Sequence, residues 1–205
     1  MARTLTDTDK ARIATAIQTA EATTSGEIYV VVARHADEQR LIPILWAALA
    51  ALLLPWPLHL LTDLSTTLIL WLQVIAFVAL AIVLSFEPIR HRVVPASMAA
   101  RSTRLAAEAL FLAHGVHLTE ARTGVLIYVA LAERRVEIVA DTGINAKVEQ
   151  AVWDDLARAV VEPASEGRLT DGLLAAVTGV GAQLARHFPP PALNRNELPN
   201  QVVEI

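Results

Sequence analysis

Between Leu41 and Phe86 the chain is apolar on every side, and on either flank it is not. Leu41 to Leu61 reads LIPILWAALAALLLPWPLHLL without a Lys, Arg, Asp or Glu, the length that a hydrocarbon core of about 30 Å asks of a helix. Pro55 and Pro57 lack main-chain donors, so this helix is expected to distort or end near them. The second run, Leu64 to Phe86, has Gln73 as its strongly polar interior residue and spans with length to spare. A core helix of a soluble protein keeps a polar stripe, and neither run has one. The pattern predicts a two-helix transmembrane hairpin over 41–86. Trp46, Trp56 and Trp71 suit interfacial or lipid-facing positions. Gln73 can hydrogen-bond to the other helix or to a second copy, a contribution under about 1 kcal/mol in membranes, and is not read as a transport site.

On the flanks the periodicity changes. Thr6 and Asp9 form a helix start, Ile13 and Ile17 mark its apolar face, and the helix is expected to run to about Ala22. Thr24-Ser25-Gly26 then breaks the pattern, and Glu27 to Ala33 is β-branched and apolar on both faces, a strand covered on two sides. After Pro95 a helix is predicted through Met98, Leu105, Leu110 and Leu112 to Gly115. Gly124 to Leu131 is again a doubly covered strand. Arg134-Arg135 reads as a turn, with Val136 to Ala140 returning as its antiparallel partner. A helix capped by Asn145 and bounded by Pro163 follows, carrying Val148, Val152, Leu156 and Val160. A last helix starts at Thr170-Asp171 with Leu173, Leu174, Val177, Val180 and Leu184 inward and His187 near its end. The segment from Pro189 onward is expected to be extended or disordered.

The fold class is therefore α/β: a small mixed β-sheet flanked by helices, interrupted by the hairpin. Residues 1–40 supply the first helix and strand, 41–86 the hairpin, 87–188 the rest of the domain and 189–205 a tail. Strands on either side of the hairpin can share a sheet only if both its ends emerge on one membrane face. Positive charges agree: Arg34 and Arg40 precede it, Arg90, Arg92, Arg101 and Arg104 follow it, and the turn from Trp56 to Asp63 has none. Positive-inside places the soluble domain in the cytoplasm, on a multi-pass protein of the cell membrane.

Composition supports this reading. The chain is 54% hydrophobic and 19% charged, more apolar than an ordinary soluble domain. A net charge of −4 without clustered Lys and Arg gives no footprint for nucleic acid. Absence of cysteine excludes disulfides, thiolate metal sites and a cysteine nucleophile. Met1 to Glu21 is polar and mixed in charge, so no secretory signal is expected there.

Two stretches resemble a known family. Thr24-Ser25-Gly26-Glu27-Ile28 before a strand, and Arg122-Thr123-Gly124-Val125-Leu126-Ile127 running into Leu131 through Ile144, are similar to the TPM-domain family, and to its bacterial inner-membrane members with an internal hairpin. The resemblance implies the α/β fold described above. For some members it implies calcium binding or weak acid phosphatase activity, and for others assistance to membrane complexes. Where many members end a strand in a Gly-Tyr-Gly type segment, this chain has Ala140-Asp141-Thr142-Gly143.

Candidate chemistry is sparse. Asp141-Thr142-Gly143 is also the aspartic-protease tripeptide, but here it leads into a helix rather than an all-β lobe. The alternative is a turn in which Asp141 or Thr142 bonds backbone. A cation needs several converging oxygens; the candidate metal ligands are Asp141 and Glu27, with Asp154 and Asp155 the other acidic residues near strand ends and turns, and calcium is the candidate ion. His114 and His117 straddle Gly115 without a third ligand nearby in sequence. No phosphate-cradling loop, nucleophile elbow or HExxH helix is present. The leading expectation is a membrane-anchored interaction or assembly module whose partners are the bilayer and a membrane or cytoplasmic protein. The alternative is a metal-dependent, calcium-binding hydrolase such as a weak phosphatase.

Overall fold

The structure, a computed structural model, describes residues 5–36, 41–86, 89, 94–191 and 195–205. The chain divides into two compact units, residues 1–37 with 100–205, and residues 38–99. Arg40, Arg90 and Arg92 lie outside the described residues.

The first unit is built on a four-stranded sheet ordered β3-β2-β1-β4. Strands β1 (Glu27–Ala33) and β2 (Gly124–Ala130) are buried along their whole length and pair in parallel, with Glu27 beside Gly124 and Ala33 beside Ala130. Strand β3 (Arg135–Ala140) returns antiparallel to β2, as the short turn between them requires. Helix α1 (Asp7–Glu21) opens with a capping box in which Thr6 and Asp9 satisfy each other's main-chain N–H groups.

Alternate strand residues face two cores. Ile28, Val30, Val125 and Ile127 pack with Ile13 and Ile17 of α1, with Trp153 of α7 (Gln150–Ser165) and with Leu173 and Val177 of α8 (Leu169–His187). Tyr29, Val31, Leu126 and Tyr128 meet Ala107 and Phe111 of α5 (Ala96–Ala113) on the opposite face. Helix α5 ends at Gly115, whose φ of 69° is the left-handed value expected of a closing glycine. Gly124 allows β2 to start against the next turn: a Cβ there would lie 2.1 Å from the Val116 carbonyl oxygen.

Three expectations are corrected. The segment after Pro189 is not merely extended: Val202–Glu204 forms β4, parallel to β1 at the edge of the sheet, because the edge of β1 offers it main-chain partners. Asn145 does not cap the long helix. It ends a short helix, α6 (Thr142–Asn145), capped by Asp141, and α7 begins beyond Glu149; the Asn145 amide instead donates to the Ala140 carbonyl. Pro163 lies inside α7 rather than bounding it, and the main-chain N–H groups of Glu166 and Arg168 close on its carbonyl.

The second unit holds α2 (Leu41–Leu53), α3 (Pro55–Leu61) and α4 (Thr66–Ser85). The prolines interrupt the first run less than their chemistry suggests. Leu54 keeps helical angles and donates to the Ala50 carbonyl, and the prolines fall in the first turn of α3, where their missing N–H groups cost nothing. Pro43, Ala47 and Ala51 recur at four-residue spacing as the buried stripe of α2, the side that packs on α4.

Candidate functional site

The strand register brings the two sequence-predicted ligands to one end of the sheet. Glu27 pairs with Gly124, and the Asp141 N–H donates to the Gly124 carbonyl, so the three residues form a row across β1, β2 and the end of β3. Both side chains are buried, Glu27 at 3% and Asp141 at 5% exposure.

Each carboxylate has local work. Glu27 accepts the main-chain N–H groups of Glu197 and Leu198, both at 3.3 Å, so it tethers the segment that leads into β4. Burial pushes its carboxyl upward, while those two hydrogen bonds pull the other way. Asp141 caps α6: its Oδ1 accepts from the Thr142 N–H at 2.6 Å and the Thr142 hydroxyl at 3.1 Å. Its Oδ2 is buried without a hydrogen-bond partner among the described residues. Gly143 follows because a Cβ there would approach the Arg122 carbonyl oxygen to 2.6 Å.

Beside Glu27 stands a residue that the sequence did not flag. Glu21, the last residue of α1, is 6% exposed. Its Oε1 accepts the Ile28 N–H at 2.8 Å, and Asn200 hydrogen-bonds its side chain. Burial pushes this carboxyl up to about 8, opposed by the Ile28 bond and reinforced by the charge of Glu27. Glu21, Glu27, Glu197 and Asn200 thus form an acidic latch that holds the last segment of the chain. The position of Glu21 at a helix end was the sequence signal available, and it reads equally as a solvated terminus.

The remaining candidates separate. Asp154 and Asp155 lie exposed on α7, where Asp155 pairs with Arg158. The Tyr29 hydroxyl lies 3.2 Å from His114 Nδ1, whereas His117 faces Phe111, their ring centroids 6.3 Å apart. Among the described residues no three His, Asp or Glu side chains are placed to hold a metal ion. Glu27 and Asp141 flank the Gly124 backbone, and both Glu27 oxygens and Asp141 Oδ1 accept main-chain N–H groups. As arranged, they do not supply the six or more oxygens that calcium takes.

A family model described as the TPM domain matches residues 90–183, a span that includes β2, β3 and the Asp141 turn. Over those residues the chain is similar to the TPM-domain family. None of the curated proteins compared with it matches. Among solved structures, the chain is similar to the NMR structure of the BA42 protein from the psychrophilic bacterium Bizionia argentinensis. The identity is 21% and the TM-score 0.62, over 100% of this chain and 98% of that one. At that identity the likeness shows a shared fold.

Proposed function

We propose that this protein is anchored in the cell membrane by its hairpin and presents the α/β domain at the cytoplasmic face as an interaction or assembly module. One observation carries the reading. The runs Leu41–Leu61 and Thr66–Ser85 are long and apolar enough to cross a membrane, and their most hydrophobic windows are only 17% and 6% buried within the protein. Leu45, Leu61, Trp71 and Ile75 are each at least 60% exposed. Leaving large apolar side chains in water costs about 1.5–3 kcal/mol each, and lipid removes that cost. Charge placement supports the cytoplasmic side, and the parallel pairing of β1 with β2 across the insertion favours an even number of spans.

Carbonate extraction of membranes and labelling of single cysteines test this. The chain has none, so Thr62→Cys in the connecting turn and Ser165→Cys at the end of α7 are unique probes. The chain is expected to stay with the membrane pellet. In intact cells an impermeant maleimide should label position 62 and not position 165. Release by carbonate, or the reverse labelling, would overturn the anchoring or the orientation. Photo-crosslinking from the domain surface in intact membranes tests the module itself, which predicts recovery of a protein adduct.

The calcium-dependent hydrolase weighed from the sequence draws no support from the geometry, because Glu27 and Asp141 serve as a tether and a helix cap.

A further inference from the structure

Helix α5 is apolar on two opposite sides. Thr103, Ala107 and Phe111 form its buried stripe, with Ala107 and Phe111 packed against the sheet. Leu105 lies two residues from both Thr103 and Ala107, about 200° around the helix from each, and it is 55% exposed. Leu112, seven residues on, is 59% exposed, and Met98, seven residues back, is 48% exposed. Ala109 is exposed between Leu105 and Leu112. A helix on the surface of a soluble domain carries charged and polar residues on the side where α5 carries these.

The other helices supply the contrast. Outside residues 41–86, the large apolar side chains left exposed among the described residues are Met98, Leu105, Leu112, Leu118 and Ile205. All but Ile205 lie on α5 or in the turn just after it. Helices α1, α7 and α8, which pack on the opposite face of the sheet, expose none. The apolar surface of the domain is thus confined to one side.

Chain connectivity specifies what covers that side. Leu41 comes eight residues after Ala33, and Ala96 eleven after Ser85, so the two connections reach at most about 29 Å and about 40 Å. A domain held by these two connections to an anchored hairpin stays at the bilayer surface. Lipid is then present beside α5 at high effective concentration, as a tethered second site is, whereas a protein would have to be recruited. Helices with Leu and Met on one face bury it at the boundary between headgroups and acyl chains. Arg101, exposed one turn before Leu105, and Arg104, exposed and paired with Glu108 at 2.9 Å, border the apolar strip. Arginine stems lie along apolar surface while the guanidinium stays at headgroup level.

We propose that the outer face of α5, centred on Leu105 and Leu112, lies in the headgroup–acyl boundary of the membrane that holds the hairpin, with α1, α7 and α8 on the side of the domain turned to water. The inference rests on the anchoring reading and names the face of the domain that meets lipid.

The test uses the full-length protein, one copy per nanodisc of phosphatidylcholine and phosphatidylglycerol. A single thiol-reactive NBD fluorophore is attached at Leu112→Cys, at Asp155→Cys on α7 or at Ile75→Cys in α4. Phosphatidylcholine with a doxyl group near the headgroup end of one acyl chain is expected to quench positions 112 and 75 and to leave position 155 bright. Aqueous iodide should quench position 155 and lose its effect at position 112, whose emission shifts to the blue. Leu105→Glu alters an exposed side chain, so circular dichroism should be unchanged; it is expected to restore iodide quenching at position 112 while lipid still quenches position 75. Position 112 open to iodide in the chain with Leu105 intact, or shielded from iodide and doxyl alike as a protein cover would leave it, or unaltered by Leu105→Glu, would overturn the lipid-facing helix. Doxyl quenching at position 75 with none at position 112 would overturn it and leave the anchoring in place. Absence of doxyl quenching at position 75 would overturn both.

Discussion

The Glu21 carboxylate accepts the Ile28 N–H at 2.8 Å and so stands where a neighbouring strand would otherwise be. One side chain thus satisfies an edge group of the central strand that β4 does not reach, since β4 pairs only from Val30 onward. An acceptor in this position need not be charged, and burial works against its charge.

That arrangement sets a pH dependence. Unfolded Glu21 loses its proton near its ordinary value of 4.5, and folded Glu21 near about 8. Between these values the unfolded state binds fewer protons, so stability falls as the pH rises from about 4.5 to about 8 and levels off above. Glu21→Gln keeps an acceptor for Ile28 without the charge. It is expected to flatten this part of the curve and to be the more stable protein at pH 9, by an amount on the order of a few kcal/mol. Urea midpoints at pH 5, 7 and 9 check it; parallel curves for the two proteins would show that Glu21 does not titrate in this window.

Glu27→Ala removes both acceptors that hold the main chain at Glu197 and Leu198. Two part-buried N–H groups lose their partner, at a cost of up to about 1–3 kcal/mol each where water does not replace it. Hydrogen exchange should accelerate at Ile205, whose N–H bonds the Val32 carbonyl, while Val129 in the sheet centre stays protected. Uniform acceleration across the sheet would mean that the latch is not a local device.

Asp141→Ala deletes the cap of α6 and should cost about 1 kcal/mol. Asp141→Asn, which keeps an oxygen acceptor, should cost less. Calcium is expected to shift the melting temperature of neither variant nor of wild type. A shift seen in wild type and absent from Asp141→Asn would instead place a cation at the open Oδ2.

Gly124→Ala places a methyl group 2.1 Å from the Val116 carbonyl oxygen and 2.7 Å from that residue's side chain. Neither backbone can withdraw without breaking the start of β2, so a loss above about 3 kcal/mol is expected. Thermal melting of the full chain measures it, and a change below about 1 kcal/mol would show that the turn at Val116 yields easily.

The strands and most helices were legible because their residues state their surroundings. Val30 and Val125 sit in runs without polar alternation, and such runs are strands covered on both faces. Asp141 was legible as a turn residue that bonds backbone. Two features were hidden for physical reasons. Val202 to Glu204 is too short to announce a strand, and only the waiting edge of β1 makes it one. Glu21 looks like any charged residue at a helix end until Asn200 and Ile28, distant in sequence or beyond a turn, close over it. Trp153 was passed over beside the more regular Val152 and Leu156, yet it is the largest fully buried side chain of α7.

The parallel alignment of β1 and β2 has a consequence for how the protein is made. The crossover joining Ala33 to Gly124 contains the whole apolar hairpin as well as α5. During synthesis β1 emerges first, yet neither of its sheet neighbours exists until both hydrophobic runs have left the ribosome. Under the anchoring proposed above, membrane insertion would precede completion of the sheet, and a chain whose hairpin stalled at the translocon would hold an unpaired strand, apolar from Ile28 to Ala33, exposed to quality control.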